Sequence, residues 1–502
     1  VSNAARLLPP LGWFLLAVHL IFVMVRPDWM VGDPGVGWHV RLGQLMVAEF
    51  RLPVEDPLSL TFPGKPWMDY QWGTHAVMGL LHGWGGLPLV TAVWALLFGF
   101  LVWGLYGRMV RMGVALPLAW LLAFGGYVIL TLHIQVRPHV WTYLFLFLLI
   151  GWLERAHRLK EGSRWYAACA AIFLPWANLH AGFAAGLVVW AAFGLGEVVA
   201  AWSRDRSAAV SILKRNMGWG MLAFIFTLAN PYGTALHAKI FSHLDSAALR
   251  HWHEHIPTWQ ASGANIALFV GLFVMVALAA ACRVGGARPG LWAAALVMSW
   301  FAWTTVRHVC LFVIVALPMA GLAVQALGRR LTPVFAERWK GWAEPELQRA
   351  RILGWVLLSV LVVLAWALED GPGLRRDLRG IHVSSAALDW LAQAPEDLSP
   401  LVHTEDLGGT IAYELAGSYR VFADDRLDYY GADFFLGTYL PLMRGGVGWE
   451  KVLESFGFRG ALLRQGSGLA EKLAADGRWE KLWSDQAHVL FRKKTSQGVG
   501  HE

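Results

Sequence analysis

The side chains able to do chemistry sit in short clusters between long apolar runs. Asp33 stands in Gly32-Asp33-Pro34-Gly35-Val36-Gly37-Trp38-His39. There Pro34 holds a short acid that could accept a proton from a hydroxyl or position a cation. The same spelling suits an Asx turn, or an N-cap for a helix starting near Val36. His39, Asp69 and His75 follow in the same polar stretch. They could orient a base or a sugar, although a histidine packed against tryptophan on a helix face reads equally well.

Arg137-Pro138-His139, Asn178-Leu179-His180 and Arg307-His308 each close or open an apolar run. An arginine there could grip a phosphate through two parallel hydrogen bonds, or snorkel to lipid headgroups. In the run His251-Trp252-His253-Glu254-His255, alternate histidines share a strand face, and His251 and His255 share a helix face. No second ligand cluster or zinc signature accompanies it, so an interfacial loop is the better reading and no metal ligands are assigned. Asp424-Asp425-Arg426, with Asp428, follows a strand-like segment. α/β folds often place ligand residues at such a position, and a turn whose arginine pairs internally is the alternative. Gly466-Ser467-Gly468 is too short for a phosphate loop.

The elements that must position these groups follow from composition. The 502 residues are 56% hydrophobic and 15% charged, with 29 tryptophans and a mean hydropathy of +0.46. Disordered, collagenous and disulfide-stapled classes are excluded, leaving a polytopic membrane protein. The three cysteines lie in apolar runs and read as packing residues. Eleven runs approach spanning length: 8–25, 86–107, 114–133, 138–153, 165–178, 181–202, 216–230, 264–282, 289–306, 308–327 and 352–368. No small-residue cleavage site follows Val25, so the first reads as a span rather than a signal peptide.

With the N-terminus inside, the inner loops hold 19 Lys and Arg and the outer loops 8. The positive-inside rule therefore supports that orientation and puts the tail outside. Nearly all the acids, histidines and loop-end arginines named above then gather on the outer side, where a wet cavity would accommodate them best. Residues 1–368 carry 27 basic against 15 acidic residues, and 369–502 carry 15 against 20. The basic excess belongs to inner loops, so nucleic acid is not an expected partner. The expected organisation is a transmembrane domain over 1–368, with a first outer loop at about 26–85, and a soluble domain over 369–502. In the tail, helices are predicted at 383–394, 409–416, 448–456 and 467–475. Strands are predicted at 400–403, 419–423, 460–464, 480–484 and 487–492, giving a compact α/β domain.

Asp33-Pro34-Gly35-Val36-Gly37-Trp38-His39 with Gly43, the stretch Leu52 to Thr61, and Gly64-Lys65-Pro66-Trp67-Met68-Asp69-Tyr70-Gln71-Trp72 together resemble the first outer loop of bacterial C-type (GT-C) membrane glycosyltransferases. The strings at Arg137, Trp176 to Gly182, Asn230-Pro231-Tyr232-Gly233, Arg307-His308 and Tyr419 to Gly431 resemble one large bacterial branch of that superfamily, and the likeness covers nearly the whole chain. It implies a polytopic α-helical membrane protein, GT-C-like with about eleven transmembrane helices, and a C-terminal soluble α/β domain outside the bacterial inner membrane. It also implies transfer of a sugar from a polyprenyl-phosphate donor in the lipid bilayer to an extracytoplasmic protein, lipid or glycan.

Asp33 takes the place of the superfamily's base or acceptor-positioning acid. Arg307 or Arg137 would hold the lipid phosphate, with His39, Asp69, His75, His139, Asn178, His180 and His308 as further substrate-binding candidates. Relatives often carry a second acid two residues on; here that position is Gly35, so a divalent metal bridged by such a pair lacks one ligand. Two other readings stand: an oligosaccharide transferase or ligase, favoured by two arginines rather than one at the phosphate, and a non-enzymatic lipid-carrier transporter or envelope-assembly protein.

Overall fold

The computed structural model describes residues 11–158, 162–244, 256–281, 287–331, 373–393 and 395–494. The expected span at 352–368 and the run His251–His255 lie outside them. Two compact units emerge: unit 1 comprises Val1–Met30, Thr91–His237 and His251–Leu374, and unit 2 comprises Val31–Val90, Ala238–Arg250 and Arg375–Glu502. Residues 31–90, assigned by sequence to the transmembrane domain, thus cluster with the tail.

The helices in chain order are α1 (Leu11–Val25), α2 (Pro27–Val31), α3 (Val36–Glu49), α4 (Trp72–Arg111), α5 (Leu116–Leu130), α6 (His139–Arg158) and α7 (Gly162–Ala171). There follow α8 (Phe173–Leu179), α9 (Phe183–Trp202), α10 (Arg206–Leu228), α11 (Thr234–Leu244), α12 (Ala264–Ala281), α13 (Pro289–Thr304) and α14 (Val309–Leu331). Among the described residues four stretches are long and apolar enough to cross a membrane: Trp72–Arg111, Leu116–His133, Phe183–Trp202 and Val306–Gly328. The run 165–178 forms two short helices, α7 and α8, parted only at Ile172. α10 starts ahead of the run expected at 216 because Asp205 caps it, accepting the Ser207 and Ala208 amides. α4 is broken at Gly85 and Gly86, whose φ of +65° at Gly86 lies outside helical space, and Pro88 restarts it where a missing amide costs little.

In unit 1, α14 is the buried helix, with Val309, Val313 and Ala316 fully enclosed. α9 and α13 approach closely at Gly196, where a Cβ would lie 2.6 Å from the Pro289 carbonyl oxygen. Beside it Glu197 accepts two hydrogen bonds from Arg288 and one from the Gly290 amide. Leu195, Met217, Met221, Leu296 and Trp300 are exposed on α9, α10 and α13, a surface suited to hydrocarbon rather than water.

In unit 2, the described tail residues form one four-stranded sheet in the order β1-β2-β4-β3, with β1 (Leu401–His403), β2 (Gly460–Arg464), β3 (Trp479–Ser484) and β4 (His488–Lys493). β1 and β2 pair in parallel, with Val402 opposite Ala461, and the other neighbours pair antiparallel. Leu388, Leu391, Leu407, Ile411, Leu462 and Leu490 fill the core. Helices Ser385–Gln393, Trp449–Ser455 and Gly468–Ala475 match the expected ones closely, while Glu405–Glu414 starts four residues ahead of the helix expected at 409. The strand expected at 419–423 is absent from this sheet. Val421 instead bridges in parallel to Ser59, exchanging backbone hydrogen bonds with Leu58 and Leu60. An apolar alternation pairs with whatever edge lies opposite, and here that edge belongs to the first loop.

Candidate functional site

Asp33 ends the turn into α3. Its Oδ1 accepts the Gly35 amide at 2.8 Å, an Asx turn, and its backbone carbonyl accepts the Val36 amide. Gly35 leaves space for a side chain from elsewhere in unit 2. A Cβ at position 35 would lie 2.8 Å from Asp425 Oδ2 and 3.0 Å from Asp33 Oδ1. Two carboxylates 392 positions apart in a 502-residue chain therefore converge where the sequence offers one. Asp425 is held there by Trp38, whose indole N–H donates to its Oδ1 at 2.6 Å, and His382 interacts with the Asp33 backbone.

Close backbone approach explains this meeting. α3 and helix Glu405–Glu414 touch at two glycines: a Cβ on Gly37 would fall 2.0 Å from the Gly409 carbonyl oxygen, and one on Gly409 2.0 Å from that of Pro34. Gly408 likewise lets the Ala423-Asp424 backbone lie on that helix, with the Ala423 carbonyl oxygen 2.3 Å from its would-be Cβ.

A second crossing sets the histidines. Gly43 of α3 and Gly79 of α4 meet so tightly that a Cβ on Gly43 would lie 1.9 Å from the His75 carbonyl oxygen. One helical turn earlier on each helix stand His39 and His75, whose Nδ1 and Nε2 are 2.7 Å apart. His75 Nδ1 is 2.7 Å from Asp69 Oδ2. The carboxylate fixes the tautomers: His75 donates through Nδ1 to Asp69 and accepts at Nε2 from His39 Nδ1. Asp69, His75 and His39 are all buried, and the His39 ring lies 3.7 Å from that of Trp38. The aspartate-histidine chain thus ends against the indole that holds Asp425.

Arg426 is structural in this unit. Its guanidinium bonds both oxygens of Asp424 and both of Asp56, and faces Trp38, Trp67 and Tyr429 at 5.1 to 5.2 Å. Burial works against its charge, and Asp424 and Asp56 outweigh that and hold its pKa well above the usual value. The internal-pairing reading of this turn therefore holds for Arg426, while Asp425, named only as part of that acidic turn, meets Asp33, a partner the sequence did not indicate. Its only signal was the acidic pair following a strand-like segment.

Unit 1 gathers the other candidates. His180 Nδ1 lies 2.7 Å from the Thr142 hydroxyl oxygen and accepts the Gly182 amide. Thr142 in turn accepts the Trp176 indole N–H. His180 Nδ1 is thus an acceptor, which leaves the proton on Nε2. Arg307 and Arg137 both act electrostatically on this imidazole. His139 interacts with His133, Arg137 and His180, and His308 with Arg307 and His133. Five of the six unit 1 candidates therefore share one neighbourhood. Asn178 has a separate task, its amide donating to the Leu174 and Ala229 carbonyls and tying α8 to the end of α10. Among the described residues no three His, Cys, Asp or Glu side chains gather to ligate a metal.

A solved structure of the archaeal oligosaccharyltransferase AglB from Archaeoglobus fulgidus, in complex with an inhibitory peptide and a dolichol-phosphate, matches this fold. The TM-score is 0.57 at 12% identity, covering 90% of this chain and 69% of that one. The same oligosaccharyltransferase, tethered to an acceptor peptide containing the NVT sequon, gives 0.55 at 12% identity with the same coverage. The chain has a GT-C fold. ArnT from Cupriavidus metallidurans, bound to undecaprenyl phosphate, aligns over 96% of this chain and 98% of that one at 15% identity with a TM-score of 0.47. No protein-family model and no curated protein matches the sequence. The GT-C fold here presents one acid from the first loop and one from the tail.

Proposed function

We propose that this protein is a bacterial inner-membrane glycosyltransferase that moves a sugar from a polyprenyl-phosphate donor to an acceptor outside the cytoplasm. About eleven spans, an inner N-terminus and an outer tail over 369–502 belong to this reading, supported by the loop charge count. The convergence of Asp33 and Asp425 at Gly35 carries the proposal.

Asp33 takes the acceptor's proton as the acceptor attacks the anomeric carbon, and the bond from that carbon to the lipid phosphate breaks. Arg137 or Arg307, both of which act electrostatically on His180, stabilises the departing phosphate. His39, oriented by His75 and Asp69, and the imidazoles of His139 and His308 serve substrate binding, while Asn178 supports the turn beside His180. Two carboxylates suit a hard divalent cation. Asp33 and Asp425 are the residues that would hold it, and it would supply Lewis acidity to the phosphate.

Asp33→Asn should lower lipid-linked sugar consumption by about a hundredfold or more while insertion and yield stay normal. A stably inserted Asp33→Asn chain with full activity overturns the assignment. Cysteine labelling that put Asp33 and the tail in the cytosol would overturn the topology. One observation favours a second reading, transfer of an oligosaccharide from a lipid diphosphate: both arginines, not one, act on His180. Supplying purified protein with mono- and diphosphate-linked donors separates the two, since only the accepted donor is consumed.

A further inference from the structure

We infer that unit 1 carries a phosphate-binding site at the ends of α4 and α6, separate from the transfer chemistry above. A cavity of about 290 Å³ lies there. Four guanidinium groups line it: Arg108 and Arg111 from the last turn of α4, and Arg155 and Arg158 from the last turn of α6. Glu154 is the one carboxylate in the lining.

Arg108 carries the argument. It is 5% exposed, and its Nη2 donates to Glu154 Oε2 at 2.6 Å. Its Nε and Nη1 are buried without an acceptor among the described residues. Leaving charged donors buried and unmatched costs more than an ordinary lost hydrogen bond. Glu154 is already shared, since its Oε1 lies 3.5 Å from Arg158 Nη2. Basic residues commonly offset the partial negative charge of a helix C-terminus, roughly half an elementary charge per helix. Two helix ends and one carboxylate still fall short of four guanidinium groups. An anion with several acceptor oxygens resolves the shortfall, and phosphate matches the planar guanidinium fork.

The rest of the wall is apolar, with Phe147, Trp152 and Met112 beside the arginines. A lipid phosphate, charged at one end and hydrocarbon beyond it, fits both halves. Free inorganic phosphate would use the arginines alone. The positive-inside count supports a cytosolic position for this end of the helices.

The test uses the full chain purified in a neutral detergent and read by native mass spectrometry and calorimetry. The probes are dioleoyl phosphatidylglycerol, dioleoyl phosphatidylcholine and inorganic phosphate. Phosphatidylglycerol should be retained about tenfold better than phosphatidylcholine, a preference lost in Arg111→Ala/Arg155→Ala, whose side chains are exposed and whose removal spares the fold. Glu154→Gln should shift retention the opposite way. If inorganic phosphate binds the natural protein and displaces the lipid, the site takes either source; if it does not, the lipid is the ligand. Equal retention of both lipids, together with phosphate binding no better to the natural protein than to the double variant, overturns the inference.

Discussion

Two buried arginines, one in each unit, are almost equally enclosed: Arg426 is 3% exposed and Arg108 is 5%. Arg426 meets two carboxylates and sits among aromatic rings. Arg108 has one carboxylate, already shared with Arg158, and two nitrogens without an acceptor among the described residues. Burial alone therefore does not distinguish a structural arginine from a binding one; the completeness of its hydrogen bonding does. Arg426 holds the first loop to the tail in unit 2 and so keeps Asp425 near Asp33. Arg108 retains capacity for an anion from outside the chain.

The contrast can be broken by substitution. Arg426→Ala should cost about 3–5 kcal/mol, because Asp56 and Asp424 remain buried without their counter-ion; limited proteolysis of the full chain should then release the tail. Arg108→Met should cost clearly less, since Glu154 keeps Arg158, and equal protease sensitivity in the two variants would erase the distinction.

The next effect concerns His403 in β1. Its Nδ1 donates to the Thr404 carbonyl and its Nε2 accepts the Phe422 amide, so the neutral ring is fully used. Burial lowers its pKa from 6.5 to about 4, against the opposing bond to Thr404. The unfolded chain binds the proton first as the pH falls, so this stability is present above about pH 6.5 and fades towards pH 4. The loss amounts to roughly 3 kcal/mol. Hydrogen exchange in β1 and β2 should accelerate across that window, and His403→Gln should flatten the dependence.

Comparing Asp33→Asn with Asp56→Asn sharpens the division further. The first should remove activity by about two orders of magnitude and spare folding. The second should loosen the loop before any activity is measured, because it takes from Arg426 the one carboxylate that ties it to the first loop and leaves it only Asp424. Gly79→Ala forces α3 and α4 apart and should cost about 1–3 kcal/mol in thermal stability, pulling His39 Nδ1 out of hydrogen-bonding reach of His75 Nε2. Smallest of all, Arg111→Ala should stay within about 0.5 kcal/mol, since its side chain is exposed.

What the amino-acid string determined by itself was local. Apolar length specified most of the helices, an Asx spelling specified the turn at Asp33, and alternating segments specified the tail's strands, because each preference acts within a few residues. At 419–423 even that failed, since a strand's partner is not written in its own pattern. Tertiary structure alone decided which distant groups meet: Asp425 beside Gly35, Arg426 on Asp56 and His39 on His75. The physical reason lies largely in backbone approach. Among the 53 glycines, those at 37, 43, 79 and 409 bring the site's backbones together, as 196 and 408 do elsewhere, and no composition or spacing rule marks such positions out.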